Sequence, residues 1–142
     1  MKKVIFSGCI ILIFVSMVLM SYAAMKKEPI SSSNFSDLKG KWEGWRTGGV
    51  SAQNLRTELE IYNDTPPFKG KLTFHDVQRR GMMSGTHTTD FSQGTINDEG
   101  NLILKSGQNV FEFSLYRDER KMKLEGDFYF MGFKGTMTLN KK

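Results

Sequence analysis

The chain has 142 residues, a formal net charge of +5 and one cysteine, which is room for one domain without a disulfide framework. Its 20 basic residues are scattered and mostly alternate with the 15 acidic ones. That pattern excludes the clustered basic face of a nucleic-acid binder.

The start reads as an export signal. Met1-Lys2-Lys3 is a short positive region, Val4 to Met20 is an almost unbroken apolar run, and Ser21-Tyr22-Ala23-Ala24 offers small residues for a peptidase. A signal peptide over residues 1–24 follows, cleaved after Ala23 or one residue later. The rival is an uncleaved anchor, since the apolar run is near the minimum for a bilayer span. In that case membrane contact is expected through residues 4–20 alone. Either way the remainder lies outside the cytoplasm, secreted or periplasmic after cleavage and membrane-anchored facing outside without it. Cleavage removes Lys2 and Lys3 and leaves the mature chain at about +3. Cys9 follows small residues in Phe6-Ser7-Gly8-Cys9, as an acylation site would. Here, however, the apolar run comes after the cysteine, so lipoprotein processing is not expected. The mature chain then has no thiol, and its stability must come from its core.

Residues 25–36 are polar and contain Pro29 and Ser31-Ser32-Ser33-Asn34, a composition expected of a flexible tether. A β-barrel domain is expected over residues 37–142. From Leu38 onward the pattern changes to alternation with period two. Leu55, Thr57, Leu59 and Ile61 oppose Arg56, Glu58, Glu60 and Tyr62; Phe111, Phe113 and Leu115 oppose Glu112, Ser114 and Tyr116. Turn residues such as Asn97-Asp98-Glu99-Gly100 and Met131-Gly132 separate the segments. The pattern predicts about eight strands, near 40–47, 53–62, 68–76, 86–96, 101–106, 109–116, 121–131 and 133–140.

A weak repeat, apolar-x-Gly-x-apolar, occurs at Leu38–Trp42, Phe68–Leu72, Leu124–Phe128 and Phe133–Met137. Its glycines, Gly40, Gly70, Gly126 and Gly135, fall on the apolar face. Inward glycines suit the corners of a strongly coiled, closing sheet. The expected fold is all-β, a single antiparallel meander closed into a small barrel, with a β-sandwich as the alternative. The inward side chains are expected to be Trp42, Leu55, Leu59, Ile61, Phe68, Leu72, Phe74, Phe91, Ile96, Leu102, Leu104, Phe111, Phe113, Leu115, Leu124, Phe128, Phe130, Phe133, Met137 and Leu139.

Gly40-Lys41-Trp42-Glu43-Gly44 opens the first strand. With the meander behind it, the chain resembles the lipocalin and fatty-acid-binding-protein group of barrels. It is closer to small bacterial secreted lipocalin-like domains that begin with Gly-x-Trp-x-Gly. The resemblance implies that Trp42 closes one barrel end and that a small apolar molecule is bound inside. It departs from true lipocalins where an arginine covers the tryptophan, since only Lys134, Lys141 and Lys142 are available here.

The expected function is non-enzymatic binding of a small apolar ligand by Trp42, Phe74, Phe91, Phe111, Phe113, Phe128 and Phe130. The alternative is an envelope or secreted protein-interaction module or inhibitor with a solid core, which meets a protein or glycan partner through the 77–94 connection and outward aromatics. Its candidate residues are Trp45, Tyr62, Arg79, Arg80, Met82, Met83 and Tyr129. His75-Asp76 with His87 and Asp90 has no recognised ligand spacing, so no metal site is expected. Ser84, His87 and Asp90 are triad residue types without a visible triad arrangement. Glu43, Glu58, Glu60, Glu112, Glu125 and Asp127 read as surface partners of lysine and arginine and not as a glycosidase pair. No catalytic residue or cofactor is expected.

Overall fold

The computed structural model describes residues 24–48, 51–77 and 85–142. All but the last residue of the expected signal peptide therefore lies outside the described residues. Among those described, nine strands follow in chain order: β1 (Lys26–Glu28), β2 (Gly40–Gly48), β3 (Ser51–Ile61), β4 (Phe68–Val77), β5 (Gly85–Ile96), β6 (Leu102–Ser106), β7 (Asn109–Arg117), β8 (Met122–Phe130) and β9 (Phe133–Lys141). A single 3₁₀ turn, Phe35–Asp37, lies between β1 and β2.

Each strand from β2 to β9 pairs antiparallel with the next, and β9 pairs back onto β2. The sheet is thus a closed eight-stranded meander barrel, as the alternation and turn spacing predict, and not a sandwich. Closure leaves these strands no free edge along their paired length. β1 is an addition. It pairs with the end of β7, from Lys26↔Arg117 to Glu28↔Leu115, beyond the β6 pairs that stop at Leu102↔Phe113.

Two repeat glycines show why the barrel needs them. A Cβ on Gly70 would lie 1.9 Å from the carbonyl oxygen of Glu60, and one on Gly126 would lie 1.7 Å from that of Glu112. The neighbouring strand occupies the place of a side chain, as tight coiling demands. Gly40 differs: the nearest atom to its Cβ is Lys141 Cε at 3.7 Å, and its φ of +120° is what excludes other residues. Large rings cover the small positions from within. Phe91 Cζ lies over Gly70, and the Phe128 ring edge lies over Gly135, each 2.6 Å from the missing Cβ.

One end of the barrel is sealed. The Trp42 indole is buried there and its Nε1 donates to the Leu38 carbonyl at 2.9 Å. Leu38 and Ile30 are buried beside it, and Phe35 meets Phe68 edge-on at 5.5 Å. The structure corrects the expected tether over residues 25–36. Lys26–Glu28 is a strand, the Ile30 amide donates to Gly100 O at 2.9 Å, and buried Asn34 donates to Glu28 Oε1 at 2.7 Å. Two apolar anchors and a charge cluster hold this polar stretch down: Arg117 contacts Glu28 and Asp37.

Most of the expected inward residues are buried. Leu55 and Ile96 are half-buried, and Phe133 departs outright, with 45% of its surface exposed. Phe133 follows the tight Met131-Gly132 turn at the end of the barrel, opposite buried Phe130.

Candidate functional site

The opposite end, here called the mouth, gathers inward side chains from several strands. Antiparallel succession brings the ends of β2, β4, β6 and β8 and the starts of β3, β5, β7 and β9 to this end. Side-chain alternation turns Arg46, Phe74, His87, Phe111 and Phe130 inward from four separate hairpins.

Three of the seven interior candidates gather here. The Phe74 ring lies 4.6 Å from that of Phe130 and 6.0 Å from that of Phe111, and Phe111 is 6.2 Å from Phe130. Half-buried His87, directly opposite Phe74, stacks against it at 6.5 Å and reaches Phe130 at 5.3 Å. The other four serve elsewhere. Trp42 seals the far end, Phe91 and Phe128 fill hollows over glycines, and Phe113 is wholly buried opposite Gly126.

Sequence reasoning missed Arg46. Its guanidinium is on the inner wall and 7% exposed, with Cζ 5.2 Å from the Phe74 ring centroid. Among the described residues the β3–β4 register runs from Ile61↔Gly70 to Thr57↔Phe74 and stops. Beyond that point the strands part, and Arg46 spans the parting. Nη1 donates to Arg56 O at 2.9 Å and to Thr57 Oγ1 at 3.1 Å, while Nη2 donates to His75 O at 2.7 Å. Burial of a charge is tolerable because carbonyls left without ladder partners receive its protons. Two signals in the sequence were usable: Arg46 sits at inward parity with Trp42 and Gly44, and Thr57 does the same on β3. A second polar bridge, Thr89 Oγ1 to Ser106 Oγ at 2.7 Å, joins β5 to β6 where their backbone register, Thr95↔Ile103 and Ile96↔Leu102, no longer reaches.

The outward candidates do not form one patch. Trp45 lies in mid-wall between Arg56 and Thr138, and Tyr62 lies past the end of β3 on the sealed side. Tyr129 belongs to the mouth, between Val110 and Lys134. It borders an outer hollow of about 520 Å³, which Glu112, Asp127 and Thr136 also line, with Phe128 and Gly135 at its floor. Arg79, Arg80, Met82 and Met83 lie outside the described residues.

The remaining chemistry is dispersed. His75 faces outward toward Glu58 Oε1 at 3.2 Å, whereas His87 faces inward. Asp90, opposite Lys71, is on the outer face, so it stands apart from His87. Ser84 lies outside the described residues. Among those described, no three His, Cys, Asp or Glu residues converge on a metal position. The outer carboxylates are largely paired: Glu43 with Arg56 at 2.9 Å and Lys142 at 2.6 Å, Glu60 with Lys71 at 3.2 Å, and Glu125 with Lys123 at 2.6 Å. These contacts hold the Glu43 carboxyl below the usual carboxylate range, Lys142 being the largest cause.

No family model matches the chain, and neither a curated protein nor a solved structure matches it.

Proposed function

We propose that this chain is an exported, non-enzymatic binding protein of lipocalin-like architecture that holds a small apolar molecule at the end of its barrel opposite Trp42. The observation that supports it most is the difference between the two ends. One is plugged by Trp42, Leu38 and the 3₁₀ turn, while the other gathers Phe74, Phe111 and Phe130 beneath a rim with exposed Phe133. Apolar walls with a few oriented polar groups are the usual make-up of a small-molecule site. Here His87, Arg46 and the Thr89–Ser106 pair supply those groups. Export is supported by the positive, apolar and small-residue succession over residues 1–24.

Native mass spectrometry of the protein recovered from its own host tests this reading. A stoichiometric mass excess, released by organic solvent and reduced in Phe130→Ala, supports it. A bare mass, together with no saturable uptake of the naphthylamine probe N-phenyl-1-naphthylamine, argues against it. The outer hollow beside Tyr129 favours a second reading, an interaction module that works through its outer surface. In that case Tyr129→Ala, and not Phe130→Ala, would abolish binding.

A further inference from the structure

We propose that the β8–β9 hairpin tip is a docking surface for an anionic lipid bilayer. The inference is independent of whether the barrel holds a ligand.

The tip displays apolar side chains that the fold does not use. Met131 is 55% exposed, Phe133 45% and Tyr129 42%, three of the five exposed large hydrophobics among the described residues. Met131 and Gly132 form a two-residue turn with φ of 50° and 85°, closed by Phe130↔Phe133. Such turns take asparagine, aspartate or glycine at the first position, and a methionine there carries backbone strain. Strain without compensating burial is a mark of a functional position. The turn is held firmly in place: the Met131 amide donates to Asn109 Oδ1 at 3.0 Å.

Charge identifies the occupant. The outward row next to the tip reads Lys105, Val110, Tyr129, Lys134 across β6, β7, β8 and β9. Both lysines are exposed and, among the described residues, neither has a carboxylate partner, whereas Lys71, Lys123 and Lys142 each do. The nearest acidic row, Glu112 and Asp127, is two residues further from the tip, about 7 Å along the strand. Within it, Glu112 accepts from the Asn97 and Asn101 amides at 3.1 and 2.9 Å. Apolar and aromatic side chains at the front with lysines just behind match the layering of a bilayer interface. A protein partner fits less well. Three side chains on a convex hairpin fall far short of the roughly 1,200–2,000 Å² of a stable protein interface, and lysine is depleted from such interfaces. β1 is at the sealed end, so docking by the tip turns the barrel mouth toward the lipid.

The test uses protein recovered from an exporting host, in the form that host leaves, with vesicles of phosphatidylcholine alone or mixed with phosphatidylglycerol. A Phe133→Trp variant, read as its difference from the natural protein with Trp42 and Trp45 alone, reports the tip itself, even if the N-terminal segment is retained and binds lipid. Its emission should shift to the blue and be quenched by brominated lipid on phosphatidylglycerol vesicles only. Removing Lys105 and Lys134 as Gln variants should weaken partitioning roughly fivefold for each lysine. Met131→Asn separates function from folding: it relieves the turn and should leave the melting temperature equal or higher, while lowering partitioning several-fold. An unshifted, unquenched tip emission, equal quenching of the tip on both vesicle types, or a Met131→Asn substitution that leaves tip quenching unchanged would overturn the proposal.

Discussion

Lys141 stands over the Trp42 indole, its Nζ 5.4 Å from the ring centroid, and donates to the Asp37 carbonyl. The cation that covers the plugging tryptophan in true lipocalins is an arginine; here the last strand supplies a lysine. Trp42, Lys141 and the 3₁₀ turn therefore form one unit, and its removal should be felt globally. Trp42→Ala should cost about 3–5 kcal/mol through the lost ring and the cavity left behind. Trp42→Phe retains bulk but strips the Leu38 carbonyl of its donor, which costs about 1–3 kcal/mol. Urea unfolding measures both, and a midpoint shift for Trp42→Ala below about 0.5 M would reject the plug assignment.

The same lysine predicts a pH effect with a definite sign. Burial, only partly opposed by Asp37, lowers the Lys141 pKa from its ordinary 10.5. Below that lowered pKa the folded and unfolded chains both hold the proton, and the full cost of burying the charge is present. As pH rises from there toward 10.5, the folded state releases its proton first and the cost is relieved. Across that alkaline window the natural protein should gain stability relative to Lys141→Met. Parallel denaturation curves for the two proteins would refute this assignment.

Gly126 predicts a failure to fold and not a loss of activity. Its Cβ position is filled by the Glu112 carbonyl, which belongs to the β7–β8 ladder and has no room to move without breaking it. Gly126→Val should give insoluble or molten protein, detected by circular dichroism and gel filtration. Gly85→Ala is the control, because among the described residues nothing lies within 4 Å of its Cβ position. It should express and melt like the natural protein.

The limits of the sequence show in particular residues. Alternation located β2 through β9 to within about two residues, because barrel strands with one wet and one dry face have a sharp period. The glycine repeat forecast closure, since a missing Cβ in an apolar position needs a neighbour to fill it. Residues 25–36 were illegible for the opposite reason: Ile30 and Asn34 are single anchors in a polar stretch, Ile30 held by distant Gly100 and Asn34 by Glu28 in the short β1. Arg46 was hidden because hydropathy marks arginine as surface, while the parted β3 and β4 carbonyls that receive it exist only in three dimensions. Gathering Phe74, Phe111 and Phe130 likewise depends on strand register and stagger, which decide which inward residues share a layer.

Arg46 should not tolerate lysine. A single ammonium cannot reach Arg56 O, Thr57 Oγ1 and His75 O with the fork geometry that the guanidinium offers. Arg46→Lys and Arg46→Met should both cost at least about 2 kcal/mol, from acceptors left buried without donors. In both variants the Arg56 and His75 neighbourhoods should open first, visible as faster amide exchange there than at Leu124 in the sealed half. A fully stable Arg46→Lys protein would show that the bridge across β3 and β4 is dispensable.

Arg117 predicts a local change at the sealed end. Its Nη2 bonds the Asp37 carboxylate, and its Nε lies 2.8 Å from Glu28 Oε2 as a charge contact without a hydrogen bond. The Asp37 bond is the main cause that raises the Arg117 pKa further, so the guanidinium is charged across any working pH. Because these side chains are roughly one-third exposed, solvent screens them, and global stability should fall by only about 1 kcal/mol in Arg117→Gln. Outside the clasp, the segment is tied to the barrel by three strand pairs, the buried Ile30 with its amide hydrogen bond to Gly100, and the Phe35–Phe68 contact. Its opening free energy should fall by about as much, so the Ile30 amide, bonded to Gly100 O, should exchange roughly fivefold faster. The Phe113 amide in the middle of the barrel should be unaffected. Equal acceleration at both amides would mean that the N-terminal segment opens only when the whole barrel unfolds, and would make β1 an integral strand of the core.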